Sequence, residues 1–125
     1  MGVLPLHATG KVRIICPSKA KEPYKQVIAE LSLRSGVQVD FVKSVKASAD
    51  QIFLDECGAP LTLDELKKLL LDNPVFVVGG PDGLSNPSDP KYSLGPYTLN
   101  HQIAIIVLLD LIFRVKFPNH PYNSH

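Results

Sequence analysis

Cysteine is scarce in this sequence, whose 125 residues include only Cys16 and Cys57, without a CxxC pair. Two isolated cysteines build neither a disulfide framework nor a cysteine-based zinc site, because both need several thiols at set spacings. The four histidines also follow no spacing that is typical of metal ligands. We therefore expect both cysteines to be free, buried thiols in a reducing cytoplasm, and we expect no bound metal.

Long hydrophobic runs are also missing. The longest apolar run covers residues 103–109 and resumes after Asp110, which is well short of the roughly 20 residues that span a bilayer. Residues 1–10 lack the charged start and the apolar stretch of a secretory signal. These absences predict a cytoplasmic protein without a membrane partner.

Neither sign of charge is in excess, since 13 basic residues face 12 acidic ones and the net charge is +1. A protein that binds RNA through many phosphates usually has a clear basic excess. An RNA partner would therefore require a local basic patch, a dimer that doubles this patch, or a preassembled RNA–protein surface. The length suits one domain, residues 1–125, and an enzyme this small is expected to share its site between subunits.

What the sequence does contain is a regular alternation of strand and helix patterns. The predicted strands are residues 11–16, 37–42, 51–55, 75–78 and 92–94, and the predicted helices are about 23–35, 63–71 and 99–117. The buried face of the second helix is predicted to be Leu63, Leu66, Leu69 and Leu70. This order is typical of an α/β fold with a mainly parallel sheet and helices on both faces.

Two glycine-containing loops follow predicted strands, at the sheet edge where α/β proteins bind their ligands. Residues 79–83 match neither the P-loop nor the dinucleotide fingerprint, so they form either a tight turn or a close backbone approach to a flat ligand. Residues 94–99 are apolar and offer main-chain groups to a ring such as adenine. The two loops predict a slot for a flat heterocycle, with His101 beside it.

The last predicted helix is apolar on nearly every face. Such a helix is buried all round, which a chain of this size achieves most simply as a dimer. Asp110 and Arg114 are the exceptions, at the i,i+4 spacing of an ion pair. Either they form a structural pair, or Arg114 reaches across the dimer to a substrate. The tail with His120 and Tyr122 is either mobile or functional.

Five motifs in the second half of the chain are recognisable as an ordered set. They are Phe53-Leu54-Asp55, residues 77–84, Ser93-Leu94 with Thr98-Leu99 and His101, Ile112-Phe113-Arg114, and His120-Pro121-Tyr122. Through these motifs, residues 50–125 resemble the family of ribosomal RNA large subunit methyltransferase H, which belongs to the SPOUT class. The N-terminal β-α-β segment is similar in pattern only.

The resemblance implies a C-terminal deep trefoil knot, with the knot and the cofactor site at about residues 52–125, as a rare exception to unknotted topology. It also implies an obligate homodimer and a bent S-adenosylmethionine cofactor held by three loops. The cofactor contacts it implies lie at strand ends and in the loops that follow: Leu54, Gly79, Gly80, Leu94, Gly95, Pro96, Tyr97, Thr98 and Leu99.

The resemblance further implies methylation of N3 of a pseudouridine in large-subunit ribosomal RNA, on assembled ribosomes. Because the imide nitrogen must lose its proton, a nearby cation or base would assist, and the candidate catalytic residues are Arg114, His120 and Tyr122. The sequence departs from the family at Ile105, where members carry a basic residue, and at Asn123, where they carry histidine. The alternatives are a knotted cofactor-binding protein for RNA or ribosome assembly without this activity, and a SPOUT methyltransferase for another RNA.

Overall fold

A computed structural model of the chain describes residues 12–45, 51–79, 91–95 and 100–120, without the side chains of Glu56 and Cys57. Its strands are β1 (Arg13–Cys16), β2 (Gln38–Phe41), β3 (Gln51–Pro60), β4 (Val75–Val78) and β5 (Lys91–Ser93). Its helices are α1 (Tyr24–Ser35), α2 (Leu63–Leu70) and α3 (His101–Lys116). None of these three helices has the length and apolar composition to cross a membrane. The predicted alternation of strands and helices is confirmed.

The five described strands form one sheet in the order β2-β1-β4-β3-β5, and every neighbouring pair is parallel. Ile14, Phe76 and Ile52 lie side by side on the three central strands. The predicted α/β fold with a parallel sheet is therefore confirmed. The trefoil knot stays a prediction, because residues 80–90 and 96–99, on which it depends, lie outside the described residues.

Local sequence sets the ends of the helices. Helix α1 ends at Gly36, whose φ of 72° is left-handed and favours glycine. Helix α2 begins at Thr62, whose Oγ1 caps the first turn by accepting a hydrogen bond from the backbone N–H of Glu65 at 3.1 Å. Helix α3 begins at Asn100, whose side chain accepts a backbone N–H of the first turn at 2.8 Å.

The hydrophobic core lies on one face of the sheet. The strand residues Ile14, Ile52 and Phe76 share this core with Ile28 of α1 and Leu66 of α2. Helix α3 completes this core with Ala104, Ile105, Leu108, Leu109 and Ile112, and it also buries Gln102 and Phe113.

All three described helices thus pack on the same face, whereas the sequence predicts helices on both faces. The connections β1-α1-β2 and β3-α2-β4 step in the same direction across the sheet. Right-handed crossovers then place both helices on one side. The apolar sequence of β4 indicates burial on both faces, but it does not indicate which elements cover each face.

Strand β3 has 10 residues, twice the length predicted. Its pairing with β5 is irregular, since Leu54 and Ala59 both align with Tyr92 and the residues between them bulge. Gly58 lies in this bulge, and a Cβ there would come within 2.7 Å of backbone atoms of Lys91 and Tyr92. Glycine therefore permits the close approach of the two strands.

Burial confirms one residue-level prediction and corrects another. Cys16 is fully buried, and desolvation raises the pKa of its thiol to about 11, so the thiol stays protonated at neutral pH. The side chain of Cys57 lies outside the described residues. Leu63, predicted to be buried, is 50% exposed, because it begins α2 and turns away from the sheet, whereas Leu66 is fully buried.

The contact at Gly58 gives the first prediction. Gly58→Ala is expected to lower the free energy of unfolding by about 1–3 kcal/mol, because the added methyl meets backbone that cannot move aside. Gly79→Ala is the matched control, since a Cβ at Gly79 meets nothing within 4 Å. Urea unfolding of both variants measures the difference, and equal stability of the two variants would contradict the β3–β5 packing.

Candidate functional site

Leu54 of β3, Gly79 after β4, and Leu94 and Gly95 after β5 are four predicted cofactor residues that lie on the same side of the sheet, towards the carboxyl ends of β4 and β5. Leu54 is the last residue of β3 that pairs with β4, opposite the final residue of that strand, and Gly79 follows directly. Leu54 also aligns with Tyr92 of β5, two residues before Leu94 and three before Gly95. Leu54 and Leu94 are half-buried and contact the core, so they provide apolar surface at this edge.

Gly79 and Gly95 leave open space at the same edge. A Cβ added at either glycine would meet no atom of the described residues within 4 Å. Gly95 has a φ of 156°, a backbone conformation that favours glycine. Ser93 is buried; its hydroxyl donates to the carbonyl oxygen of Gly95 and accepts from the Gly95 N–H at 3.1 Å. These two hydrogen bonds fix the backbone of the turn after β5.

The other predicted loop and tail contacts fall outside the described residues. These residues are Gly80, Pro96, Tyr97, Thr98 and Leu99 of the two loops, and Tyr122 of the tail. Their assignments stay predictions.

Arg114 and His120, the two catalytic candidates among the described residues, each contact a side chain of their own chain. The Nε of Arg114 donates to Oδ2 of Asp110 at 3.0 Å, so the pair that the i,i+4 spacing allows is present. About a third of each side chain is exposed to solvent. His120 is exposed, and its ring lies edge-on against Phe113 with the ring centroids 5.1 Å apart.

Arg114 and His120 lie towards the amino ends of the strands, whereas the described cofactor residues lie towards the carboxyl ends. Helix α3 has 16 residues, which corresponds to a length of roughly 24 Å. In its last turn, the Nζ of Lys116 donates to the carbonyl oxygen of Ser35 at 2.7 Å, and Ser35 ends α1 just before β2 begins. Arg114 and His120 are therefore not brought to Gly79 within one chain.

A groove that sequence reasoning missed lies where the loop after β1 meets the start of α3. Its volume is about 230 Å³, and the residues that line it are Ser18, Lys21, Tyr24, Asn100, His101 and Gln102. We call it the α1–α3 groove. Among the described residues, no three potential metal ligands cluster here or elsewhere.

Gln102 holds the two sides of the α1–α3 groove together. Its side chain is 3% exposed, its Nε2 donates to the carbonyl oxygen of Lys19 at 3.2 Å, and its Oε1 accepts from the N–H of Lys21 at 3.3 Å. One buried amide thus satisfies two backbone groups that lie more than 80 positions away in sequence. The signal in the sequence was a single polar residue near the start of an apolar helix.

Comparison with known proteins identifies the family. The family model described as "Predicted SPOUT methyltransferase" matches residues 11–122, which is most of the chain. The chain belongs to the SPOUT methyltransferase family. The resemblance drawn from the ordered motifs is therefore confirmed.

Three relatives share the name ribosomal RNA large subunit methyltransferase H. The protein from Thermus thermophilus is 36% identical over 83 residues, which are 58% of this chain and 61% of the relative. The one from Xylella fastidiosa is 33% identical over 84 residues, 58% of this chain and 54% of the relative. The one from a Psychrobacter species is 27% identical over 133 residues, 97% of this chain and 82% of the relative. This chain thus spans between half and two thirds of the length of the first two SPOUT relatives.

Ile105, one of the departures noted in the sequence, is fully buried in the core. A basic side chain at this position of α3 would bring an unpaired charge into apolar surroundings, which is costly. Ile105 therefore contributes to the packing of the core, in place of the basic side chain that the resemblance leads us to expect at this position.

The clamp at Gln102 gives the second prediction. Gln102→Leu keeps the volume but leaves the Lys19 carbonyl and the Lys21 N–H without their partner, which is expected to lower the free energy of unfolding by about 1–3 kcal/mol. Gln26→Leu is the matched control, because Gln26 is exposed on α1. Thermal and urea unfolding report the loss. An unaltered stability of Gln102→Leu would contradict the clamp.

Proposed function

We propose that this SPOUT family member is an S-adenosylmethionine-dependent RNA methyltransferase. Its substrate is expected to be N3 of a pseudouridine in large-subunit ribosomal RNA. The observation that carries the proposal is the open edge formed by Gly79 and Gly95, in a chain of this family. The relatives' name adds support for ribosomal RNA as the substrate.

The residues at the carboxyl edge fit the cofactor. Leu54 and Leu94 offer half-buried apolar surface, and the spaces beside Gly79 and Gly95 accept a flat group close to the backbone. An apolar slot with main-chain donors and acceptors is sufficient for an adenine ring. We assign the remaining contacts to Gly80 and to Pro96, Tyr97, Thr98 and Leu99. When bound, S-adenosylmethionine supplies an electrophilic sulfonium methyl group.

The protein's own part in the reaction is to position the imide nitrogen and to manage its proton. The guanidinium of Arg114 is a cation with several N–H donors, so it is suited to stabilising the imide anion. His120 and Tyr122 are candidates for accepting the proton. Within their own chain, Arg114 and His120 lie on the side of the sheet away from Gly79. We therefore assign them to the cofactor site of a second subunit.

A homodimer would supply that arrangement. One side of α3 outside the core carries Ile103, Val107 and Phe117, spaced along the helix around the pair of Asp110 and Arg114. Ile103 is 36% exposed and Phe117 is 42% exposed. Apolar side chains at this spacing form a stripe that fits a second α3. Two copies in opposite orientation would bring the last turn of one α3 towards the cofactor edge of the other.

The nearly neutral charge of the chain is compatible with this substrate. An assembled ribosome presents its RNA on a formed surface, and a dimer doubles any local basic patch. A ribosomal substrate also agrees with the expected cytoplasmic location.

Methyl transfer tests the function and the cofactor site together. The purified protein with methyl-labelled S-adenosylmethionine is expected to label large-subunit RNA in ribosomes from cells that lack this modification. Gly79→Leu should abolish both transfer and calorimetric cofactor binding, because the side chain fills the slot, while thermal stability stays unchanged.

The outcomes of this experiment separate the alternatives. Methyl transfer to another RNA would identify a methyltransferase with a different substrate. Cofactor binding without methyl transfer to ribosomes, subunits or free RNA would indicate a non-catalytic binding protein. Full cofactor affinity of Gly79→Leu would refute the placement of the site.

Arg114 gives the next prediction. Arg114→Ala is expected to reduce turnover at least tenfold, as the loss of one charge stabiliser does, and to leave cofactor affinity unchanged. Asp110→Ala is the matched control, since it breaks the same half-exposed ion pair, which contributes at most about 1 kcal/mol to stability. If both variants lose equal activity, or only stability, Arg114 serves the fold and not the substrate.

A further inference from the structure

The α1–α3 groove lies one strand away from the proposed cofactor edge. Strand β1 pairs with β4 through Ile15 and Val77, so the chain just after β1 runs level with Gly79 at the usual strand spacing of about 4.8 Å. Ser18, the first groove residue, lies in this segment. The groove therefore opens beside the place where the methyl donor is expected.

The polar side chains of the α1–α3 groove are available to a ligand. Among the described residues, the ion pairs are Arg13–Asp40, Arg34–Glu30 and Arg114–Asp110, and none of them includes Lys21. Nor do the described residues provide a hydrogen-bond partner for the side chains of Ser18, Tyr24 or His101. One ammonium, two hydroxyls and an imidazole thus line the groove without a side-chain partner from the part of the chain that the structure describes.

The charges around the α1–α3 groove favour an anion. Lys19 and Lys25 are exposed on either side of Lys21, and Lys43 follows β2 at the same edge of the sheet. Glu22 is the acidic neighbour in the loop. This local basic excess contrasts with the net charge of +1 for the whole chain, and it is the kind of patch that an RNA-binding protein of low net charge requires.

The size and rigidity of the α1–α3 groove restrict the anion. Its volume of about 230 Å³ is below the roughly 300–1,000 Å³ typical of pockets for whole small molecules. The clamp at Gln102 fixes the loop that carries Lys21, and it does so through backbone groups. The Lys21 ammonium is therefore presented from an ordered loop, while its side chain has no part in the clamp.

We propose that the α1–α3 groove binds a backbone phosphate of the RNA substrate, with Lys21 as the main cationic contact and Ser18, Tyr24 and His101 as hydrogen-bond donors. The bound phosphate positions a nucleotide near the acceptor base towards Gly79. This inference rests on the proposed function, because it assumes an RNA substrate, and it concerns residues outside the cofactor slot.

Binding of a fluorescently labelled large-subunit rRNA transcript and of ribosomes tests the groove, at salt concentrations from 50 to 300 mM (roughly the range in which phosphate contacts dominate). Lys21→Ala is expected to weaken binding about fivefold near 0.1 M salt and to reduce the salt slope by about 0.7, as the loss of one phosphate contact does. Lys21→Arg should retain most of the affinity. Lys68→Ala removes the same charge from the last turn of α2, away from the carboxyl edge, and should bind like wild type.

A second readout separates this inference from the proposed function. In the methyl-transfer assay, Lys21→Ala should raise KM for RNA with little effect on kcat, and calorimetric affinity for S-adenosylmethionine should stay unchanged. If Lys21→Ala and the double variant Lys21→Ala with His101→Ala both bind RNA as tightly as wild type and keep its KM, phosphate binding in the α1–α3 groove is refuted. The proposed methyltransferase activity would be unaffected by that result. Equal losses of RNA affinity in Lys21→Ala and Lys68→Ala would show that only the net charge of the protein matters. That result would likewise refute phosphate binding in the α1–α3 groove. If the wild type binds RNA through Lys21 but transfers no methyl group, the proposed methyltransferase function is refuted while phosphate binding in the α1–α3 groove is supported.

Discussion

Helix α3 holds the described strands and helices together, because all three described helices pack on one face of the parallel sheet and α3 lies at the centre of that face. It buries seven residues, and hydrogen bonds fix both of its ends to the first β-α-β unit. At its start, Gln102 bonds to the backbone of the loop after β1. At its end, Lys116 bonds to the last carbonyl of α1, where a cation also complements the helix dipole. These contacts define the position of α3 between the two edges of the sheet.

That position has a direct consequence for function in a SPOUT methyltransferase. Leu54, Gly79, Leu94 and Gly95, which are suited to a methyl donor, lie towards the carboxyl ends of β4 and β5. Arg114 and His120 lie in and beyond the last turn of α3, towards the amino ends of the strands. A reaction that needs both sets requires two chains. In the proposed homodimer, a second chain would pack on the apolar side of α3 that carries Ile103 and Phe117, so dimerisation and catalysis would both depend on this helix.

Much of this arrangement is predictable from the sequence, because local signals fix it. Gly36, Thr62 and Asn100 set helix ends through backbone conformation or side-chain caps, and the apolar run of β4 identifies a central strand. Features that depend on distant parts of the chain were not predictable. The continuation of β3 through Gly58 depends on β5 closing against it, and the single face shared by the helices depends on the strand order. Gln102 is similar, since its partners are more than 80 residues away and only the folded chain identifies its role.

In the proposed mechanism, the space beside Gly79 and Gly95 is a methyl-donor site that a second subunit completes. A crystal structure of the protein grown with S-adenosylmethionine tests this most directly. We expect the cofactor to contact Leu54, Gly79 and Leu94 of one protomer, with the last turn of the partner's α3 facing its methyl group. A cofactor bound elsewhere, or a monomer whose site at Gly79 faces bulk solvent, would contradict the account.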